Sequence, residues 1–509
     1  MKSYVRTGLG ALLVVGVFLA GTINLESTPG LWSDEGWTLT VVRNWVERGH
    51  YGRLLDGKPA SAGFSAAFPV TAPIALSFRL LGVGVWQGRL VGVLFTLGAL
   101  ALIYYLARRL YDPSVAKGAV AVLLLMSPHH YLHPILIGRQ VLGEMPMLFY
   151  LLAGYACFLG ALRRPLWFMP VAVGLWAIAL NTKAQVLPFW IASLLIPLSV
   201  MLFRRRWSIV RPLFIGLLSS LIASRLLLWL QHAILRNQTV PVSPIHGLYD
   251  VVALVPIAHV RLIALFVTLT FGLLTLLGLA YATGQYTRNY DKTAFIDAPE
   301  VVRLALLTLA GSWFAWYVFS AIPFVRYLFP VTFIGSIFVA AMLRDLTDHF
   351  SLSSTITRIG YALRHLRFNR QSIHALLAMT LMALTFLGTL RALHQFYIGS
   401  VDASVLQVTD FLNAHTARTA VIETYDPQLF FLLDRRYHYP PDQVRVELLR
   451  RVYLHQDVPI NYDPLEGDPD YLVIGRFVRL SQLYDPVLAT GAFRLVSVYG
   501  NYDVYERVR

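Results

Sequence analysis

Two adjacent carboxylates, Asp34 and Glu35 in LWSDEGWT, follow closely on the apolar run LGALLVVGVFLAGTINL. A carboxylate at the edge of hydrocarbon is costly unless it is paired or used, which makes the pair a site candidate. Acids also suit the positive end of a helix, so a simple helix-start role competes with that reading. Glu144, in GRQVLGEMPML, is the only carboxylate between Asp112 and Asp250. It is either a third acid of the same site or the helical ion-pair partner of nearby Arg139. Four isolated cations stand at the ends of apolar runs: Arg139, Lys183 in LNTKAQV, Arg261, and Arg326 in FVRYLFPV. Such cations can hold an anionic headgroup or snorkel to lipid phosphates. We read Arg261 as snorkelling, and Arg139, Lys183 and Arg326 as phosphate ligands. Acids and cations gathered in this way suit a site that holds a phosphate and activates a neutral nucleophile.

Around these charges lie further candidates for substrate contact: Tyr327 beside Arg326, His129 and His130 in SPHHYLHPILIGRQ, and Lys58. With His133 and Glu144 the imidazoles could ligate a divalent metal such as zinc, but their spacing matches no standard ligand pattern. The metal requirement is therefore open, and contact with a polar substrate is the preferred role. The single cysteine, Cys157, lies in an apolar run and excludes an intrachain disulfide.

The elements that must position these residues are membrane helices. The 509-residue chain is 56% hydrophobic and 14% charged, and its apolar residues fall in runs of roughly 18 to 25, enough to span a bilayer. About eleven spans are expected, near 7–23, 86–107, 115–131, 143–161, 167–181, 184–203, 208–231, 260–282, 302–320, 326–343 and 373–395. The first could instead be a cleaved signal peptide, with small residues in VFLAGT at a plausible cleavage site. The net charge of +15 does not indicate nucleic acid, because from residue 400 onward 11 Arg face 15 acids, whereas residues 1–399 carry 32 Lys and Arg against 13 acids. Much of that excess sits in the short connections RRLYDPSVAK, LRRP and RRRWSIVR and in 344–370, which places these on the cytoplasmic side. Asp34, Glu144, Lys183 and Arg326 then share the opposite, outer face.

On that face the first loop, about 24–85, carries WTLTVVRNWVERG and TAPIALSFRLLG, expected as amphipathic helices lying along the membrane surface, as a structural cap over the bundle, or as both together. Trp313, Trp316, Tyr317 and Tyr327 are placed to line the outer rim, as sugar contacts or as interfacial belt residues. Beyond residue 398 the texture changes. TAVIETYD, DYLVIGRF and FRLVSVYGNYDVYERV read as strands, while SVLQVTDFLNAHT and PDQVRVELLRRVYL have helical spacing. Residues 399–509 are therefore expected as an extracytoplasmic α/β domain on a 1–398 membrane domain. That domain shows no catalytic constellation, and acceptor recognition or partner docking is its expected role.

The ordered set of Asp-Glu after a first span, an acid within GRQVLGEMP, the lysine of NTKAQ, the RYLFP start of a late span and a soluble C-terminal part resembles the C-type (GT-C fold) glycosyltransferases. It is similar in particular to bacterial members of the protein mannosyltransferase and lipid A aminoarabinose transferase superfamily. The resemblance implies a multi-pass protein of a prokaryotic inner or plasma membrane. Its implied partners are a polyprenyl-phosphate-linked sugar and an acceptor lipid, glycan or protein on the extracytoplasmic face. Asp34 matches the family's catalytic acid and Glu35 its partner; Glu144 matches the second-loop acid, which is Asp in many relatives. Lys183 and Arg326 resemble residues near the donor phosphate. On chemical grounds the expected reaction is a single inverting displacement with Asp34 as base. Two other readings of the chain are a multispan lipid or solute transporter, whose polar residues belong nearer the midplane in two related halves, and a non-catalytic subunit of a membrane complex.

Overall fold

A computed structural model of the chain describes residues 2–63, 66–241, 243–289, 297–366 and 369–509. Helix α1 (Lys2–Thr22) leads to α2 (Ser33–Arg48), a short hairpin of β1 (Leu54–Leu55) and β2 (Lys58–Pro59), and α3 (Phe68–Leu81). Long helices follow: α4 (Val85–Leu110), α5 (Pro113–Leu125), the short α6 (Pro134–Gly138), α7 (Glu144–Ala161), α8 (Pro165–Thr182), α9 (Leu187–Phe203) and α10 (Trp207–Leu235). After the short α11 (Leu248–Val252), α12 (Ala258–Val267) runs through a π turn at Thr268–Gly272 into α13 (Leu273–Asn289). The bundle is completed by α14 (Ala298–Phe319), α15 (Phe329–Leu346), α16 (Leu352–His365) and α17 (Arg370–Tyr397).

Each stretch expected to span falls on a helix. Among the described residues eight helices are long and apolar enough to cross a membrane, and the apolar parts of α1, α5 and α8 are shorter, at 10–17 residues. The expected span 115–131 is shortened for a local reason. Asp112 caps α5 by accepting from the amides of Ser114 (2.7 Å) and Val115 (3.0 Å), with Pro113 at the first helical position. The helix stops at Leu125 ahead of Ser127-Pro128, because the residue before a proline is pushed out of helical geometry. His129 and His130 thus lie in a loop.

Burial is inverted relative to a water-soluble bundle. Polytopic character is evident where α10 and α17 turn Leu226, Trp229, Leu377, Leu384 and Leu387 outward, an apolar exterior that belongs in hydrocarbon. At the centre stands α15, with every residue from Phe333 to Leu343 buried.

Beyond the bundle, α18 (Ser404–His415), α19 (Pro427–Leu432) and α20 (Val444–Leu454) accompany a five-stranded sheet. Its strands are β3 (Val421–Thr424), β4 (Arg436–His438), β5 (Tyr471–Ile474), β6 (Phe493–Tyr499) and β7 (Tyr502–Arg507), in the order β4-β3-β5-β7-β6. β3 pairs in parallel with β4 and β5, whereas β7 runs antiparallel to β5 and β6. The tight β6–β7 connection turns on Gly500, whose φ of +54° suits a residue without a side chain.

The first loop carries the two helices expected from its pattern, and they differ in exposure. α3 exposes Leu76, Leu80 and Leu81, but α2 is enclosed, with Glu35 through Val42 all buried. The reason is the C-terminal segment, which packs on α2 so tightly that a Cβ on Gly36 would lie 2.2 Å from Gln428 Cα. Phe78 of α3 stacks on Phe431 with ring centroids 6.3 Å apart, and Arg43 donates to the Phe431 carbonyl at 2.8 Å. One apolar cluster joins Leu39 and Val42 of α2 to Leu412, Ile422, Leu429 and Val473.

Candidate active site

The site is built where the start of α2 meets three other segments. Trp32 is extended and starts α2, placing Asp34 and Glu35 in its first turn where the helix end favours negative charge. Successive helical residues point about 100° apart, which follows from 3.6 residues per turn, so the two acids serve different surroundings.

Asp34 takes one cation on each oxygen. Arg326, in the 3-10 turn Val325–Leu328 before α15, donates from Nη1 to Oδ2 at 2.7 Å, and Arg445 of α20 donates from Nη2 to Oδ1 at 3.2 Å. Burial alone would raise the Asp34 pKa, but Arg326, Arg445 and Lys183 outweigh it and hold the carboxyl at about 2. It is ionised at any physiological pH.

Glu144, at the first position of α7, is buried and receives a hydrogen bond from Lys183 Nζ. Lys183 lies in the extended link between α8 and the following turn, so its side chain crosses from one helix end to the next. Tyr327 bridges the two pairs: the Lys183 ammonium and the Arg326 guanidinium are each 5.8 Å from its ring centroid. On the other side the Arg326 guanidinium lies 5.1 Å over the Trp32 ring. Two acids therefore face three cations at one end of the bundle. Such an arrangement can receive an anion while presenting carboxylates to a neighbouring group.

Other residues singled out by sequence stand elsewhere. Glu35 is fully buried in a bidentate pair with Arg89, at 3.0 and 2.7 Å, and accepts from the Val141 amide at 2.9 Å. Its carboxylate ties the first loop to α4 and to the segment before Glu144. Arg139 pairs with neither Glu144 nor the cluster; its buried guanidinium donates to the carbonyls of Ala20 (2.9 Å) and Ile23 at the end of α1 and to that of Thr28 (2.8 Å) in the link to α2. Arg261 does not snorkel but donates to the carbonyls of Val318 (2.9 Å), Tyr317 and Ala321 at the end of α14. Lys58 is exposed on the β1–β2 hairpin, whose Asp56 amide donates to the Tyr437 carbonyl at 2.9 Å, and takes no part in the bonds of the cluster. Of the proposed rim aromatics, Trp313 and Tyr317 are core residues, and Trp313 donates to the Tyr327 carbonyl at 3.1 Å.

His129 and His130 reach the site only through other rings. They stack on each other at 4.4 Å, His130 lies 4.1 Å from Tyr131, and Tyr131 lies 6.3 Å from Trp32. Burial lowers the pKa of both, that of His129 to about 4, where the His130 charge adds to the effect. His133 is buried, with Nε2 at 3.1 Å from the Leu124 carbonyl. The three imidazoles do not converge with Glu144, and among the described residues no three His, Cys, Asp or Glu side chains form a group that could hold a metal ion.

Arg445 is the residue that sequence reasoning missed. It is one of 11 arginines after residue 400, and nothing in VRVELLRRV separates it from surface charge.

Residues 68–229 match the model of the dolichyl-phosphate-mannose-protein mannosyltransferase family. No curated protein sequence matches the chain. In fold the chain is similar to ArnT from Cupriavidus metallidurans bound to undecaprenyl phosphate, with a TM-score of 0.64 and 16% identity over 99% of this chain and 98% of that one. It is also similar to the oligosaccharyltransferase AglB from Archaeoglobus fulgidus in complex with an inhibitory peptide and a dolichol-phosphate, with a TM-score of 0.54 and 12% identity over 99% of this chain and 75% of that one. A multi-pass bundle with these likenesses and a small C-terminal sheet identifies the chain as a membrane protein of the GT-C fold, similar over residues 68–229 to the protein mannosyltransferases.

Proposed function

We propose that this chain is a membrane glycosyltransferase that moves a sugar from a polyprenyl-phosphate donor to an acceptor lipid, glycan or protein. The observation that carries the reading is Asp34 and Glu144 held beside Lys183 and Arg326 at one end of a GT-C bundle. The undecaprenyl phosphate of the ArnT structure and the dolichol-phosphate and peptide of the AglB complex support lipid-linked donors and acceptors as the substrate classes. Positive-inside charge bias supports an extracytoplasmic site, with 1–398 as the membrane domain and 399–509 as an outer α/β domain; the membrane proposed is a prokaryotic inner or plasma membrane.

In such a donor the phosphate is a diester carrying one negative charge, and transfer turns it into a monoester carrying nearly two. The bond from the anomeric carbon to the phosphate oxygen breaks as the acceptor oxygen bonds that carbon from the opposite face, with inversion. Lys183 and Arg326 offset the charge that grows on the leaving oxygen, so no acid is needed there. The acceptor's proton passes to Asp34. A carboxylate held at about 2 by two guanidiniums is a weak base, and a phosphate that draws Arg326 toward itself strengthens it. Glu144 orients the Lys183 ammonium. The isoprenoid tail accounts for a hydrocarbon-embedded enzyme.

Purified full-length protein in lipid nanodiscs, given a synthetic polyprenyl-phospho-sugar and an extract containing acceptors, should release polyprenyl phosphate. Donor affinity unchanged by Lys183→Ala and Arg326→Ala together would remove the phosphate assignment.

A further inference from the structure

The charges of the site balance without the C-terminal segment: Arg326 matches Asp34 and Lys183 matches Glu144. Arg445 adds one positive charge to this set, held on Asp34 Oδ1 at 3.2 Å, and it comes from α20, far away in sequence. Its side chain is 18% exposed, so its charge is little screened.

The two guanidiniums on Asp34 are anchored differently. Arg326 donates to Asp34 at 2.7 Å, lies 5.8 Å from the Tyr327 ring that Lys183 also faces, and is attracted by Glu144. Arg445 instead belongs to a packed stack: its guanidinium lies 5.8 Å from the Trp37 ring, over which Arg53 also sits at 4.1 Å. Trp37 is fixed by donating Nε1–H to the Ala62 carbonyl at 2.7 Å, and Arg53 binds Asp442, just before α20, at 2.8 Å. An arriving phosphate can compete for Arg326 and Lys183 without disturbing this stack.

We propose that Arg445 is a positioning residue of the transfer site, keeping hold of Asp34 Oδ1 while Arg326 turns from Oδ2 to the donor phosphate. The inference rests on the functional reading above and assigns the C-terminal segment a part in completing the site. The carboxylate keeps its orientation toward the acceptor through Arg445 and gains basicity through the loss of Arg326. Besides Arg445, the groups that face Asp34 are Arg326 and Tyr327 ahead of α15, Lys183 after α8, Tyr131 in the loop after α5 and Tyr453 of α20; Glu35, its neighbour on α2, is turned to Arg89.

The test uses the full chain in nanodiscs with Arg445→Gln and Arg445→Lys. Dicyclohexylcarbodiimide couples to protonated carboxyls, so its rate of reaction with Asp34, read by peptide mass spectrometry at one mildly acidic pH, reports that group's protonation. Removing an opposite charge raises a carboxyl pKa by about one unit or more, so Arg445→Gln should speed labelling of Asp34 about tenfold. Arg445→Lys should stay near the wild-type rate, and Glu144, paired with Lys183, should label equally in all three proteins. In transfer assays Arg445→Gln should lower kcat by about 10- to 100-fold, as misplacement of a reacting group does, with donor KM little changed and kcat partly restored in Arg445→Lys.

An unchanged Asp34 rate overturns the proposal, as does a common rise at Asp34 and Glu144, which would make α20 a structural prop. So does a loss of donor affinity at unchanged kcat, which would make Arg445 a phosphate ligand. If none of the proteins, wild type included, releases polyprenyl phosphate, the functional reading fails. The labelling rates still decide whether Arg445 holds Asp34.

Discussion

Asp34 and Glu35 are neighbours with separate tasks. Asp34 keeps 16% of its side chain exposed between Arg326 and Arg445, whereas Glu35 is wholly enclosed with Arg89 and the Val141 amide. Removing one partner of a buried ion pair strands the other charge, at a cost of about 3–5 kcal/mol. Glu35→Gln should therefore lower thermal stability sharply in detergent, leaving any protein that does fold with a normal donor KM. An unchanged melting temperature would show that Arg89 finds another partner. From sequence, Asp34 was legible because a charge at the edge of hydrocarbon demands a use; the separation of the two acids was not, because Arg89 lies within an apolar run whose periodicity looks like that of any other span. Arg139 was misread for a related reason. A cation near a span end looks like a phosphate ligand, yet the carbonyls at the end of α1 need donors, and Arg139 supplies them at Ala20 and Ile23.

At the scale of elements, α2 decides the geometry. It presents Asp34 at its first turn and, one position beyond Glu35, Gly36 to the backbone of α19. A Cβ at Gly36 would lie 2.5 Å from Gln428 N and 2.7 Å from the Pro427 carbonyl oxygen, and backbone cannot give way as a side-chain tip can. Gly36→Ala should push α2 away from the C-terminal segment at a cost of about 1–3 kcal/mol. The expected result is faster proteolytic release of the C-terminal segment and transfer slowed by about 10- to 100-fold. Wild-type protease resistance and rate would mean that this contact positions nothing. The helices of this region follow from their periodicity, and strands β3, β5, β6 and β7 from their alternation. What periodicity cannot convey is that α2 is covered on its second side as well, by residues some 400 positions later. The same long-range closure brings Arg445 to Asp34.

At the scale of the whole molecule, hydropathy makes the multi-pass bundle plain, and among the described residues eight helices carry that signal in full. Sidedness rests on the Arg-rich connections, and it can be read directly. With Cys157, the single cysteine, replaced by Ser, a cysteine at exposed Asn501 should react with an impermeant maleimide on intact cells, and one at exposed Arg206 only after permeabilisation. The reverse pattern would invert the topology and move the site to the cytoplasmic face. The proposed transfer makes Asp34 the base for the acceptor's proton, and the most direct test of that role is polyprenyl phosphate release by Asp34→Asn beside wild type in the same nanodiscs, with equal folded protein confirmed by circular dichroism. Loss of a general base predicts a rate lower by about 10²- to 10⁴-fold with the donor still bound. Transfer at a near-normal rate by folded Asp34→Asn protein would contradict it.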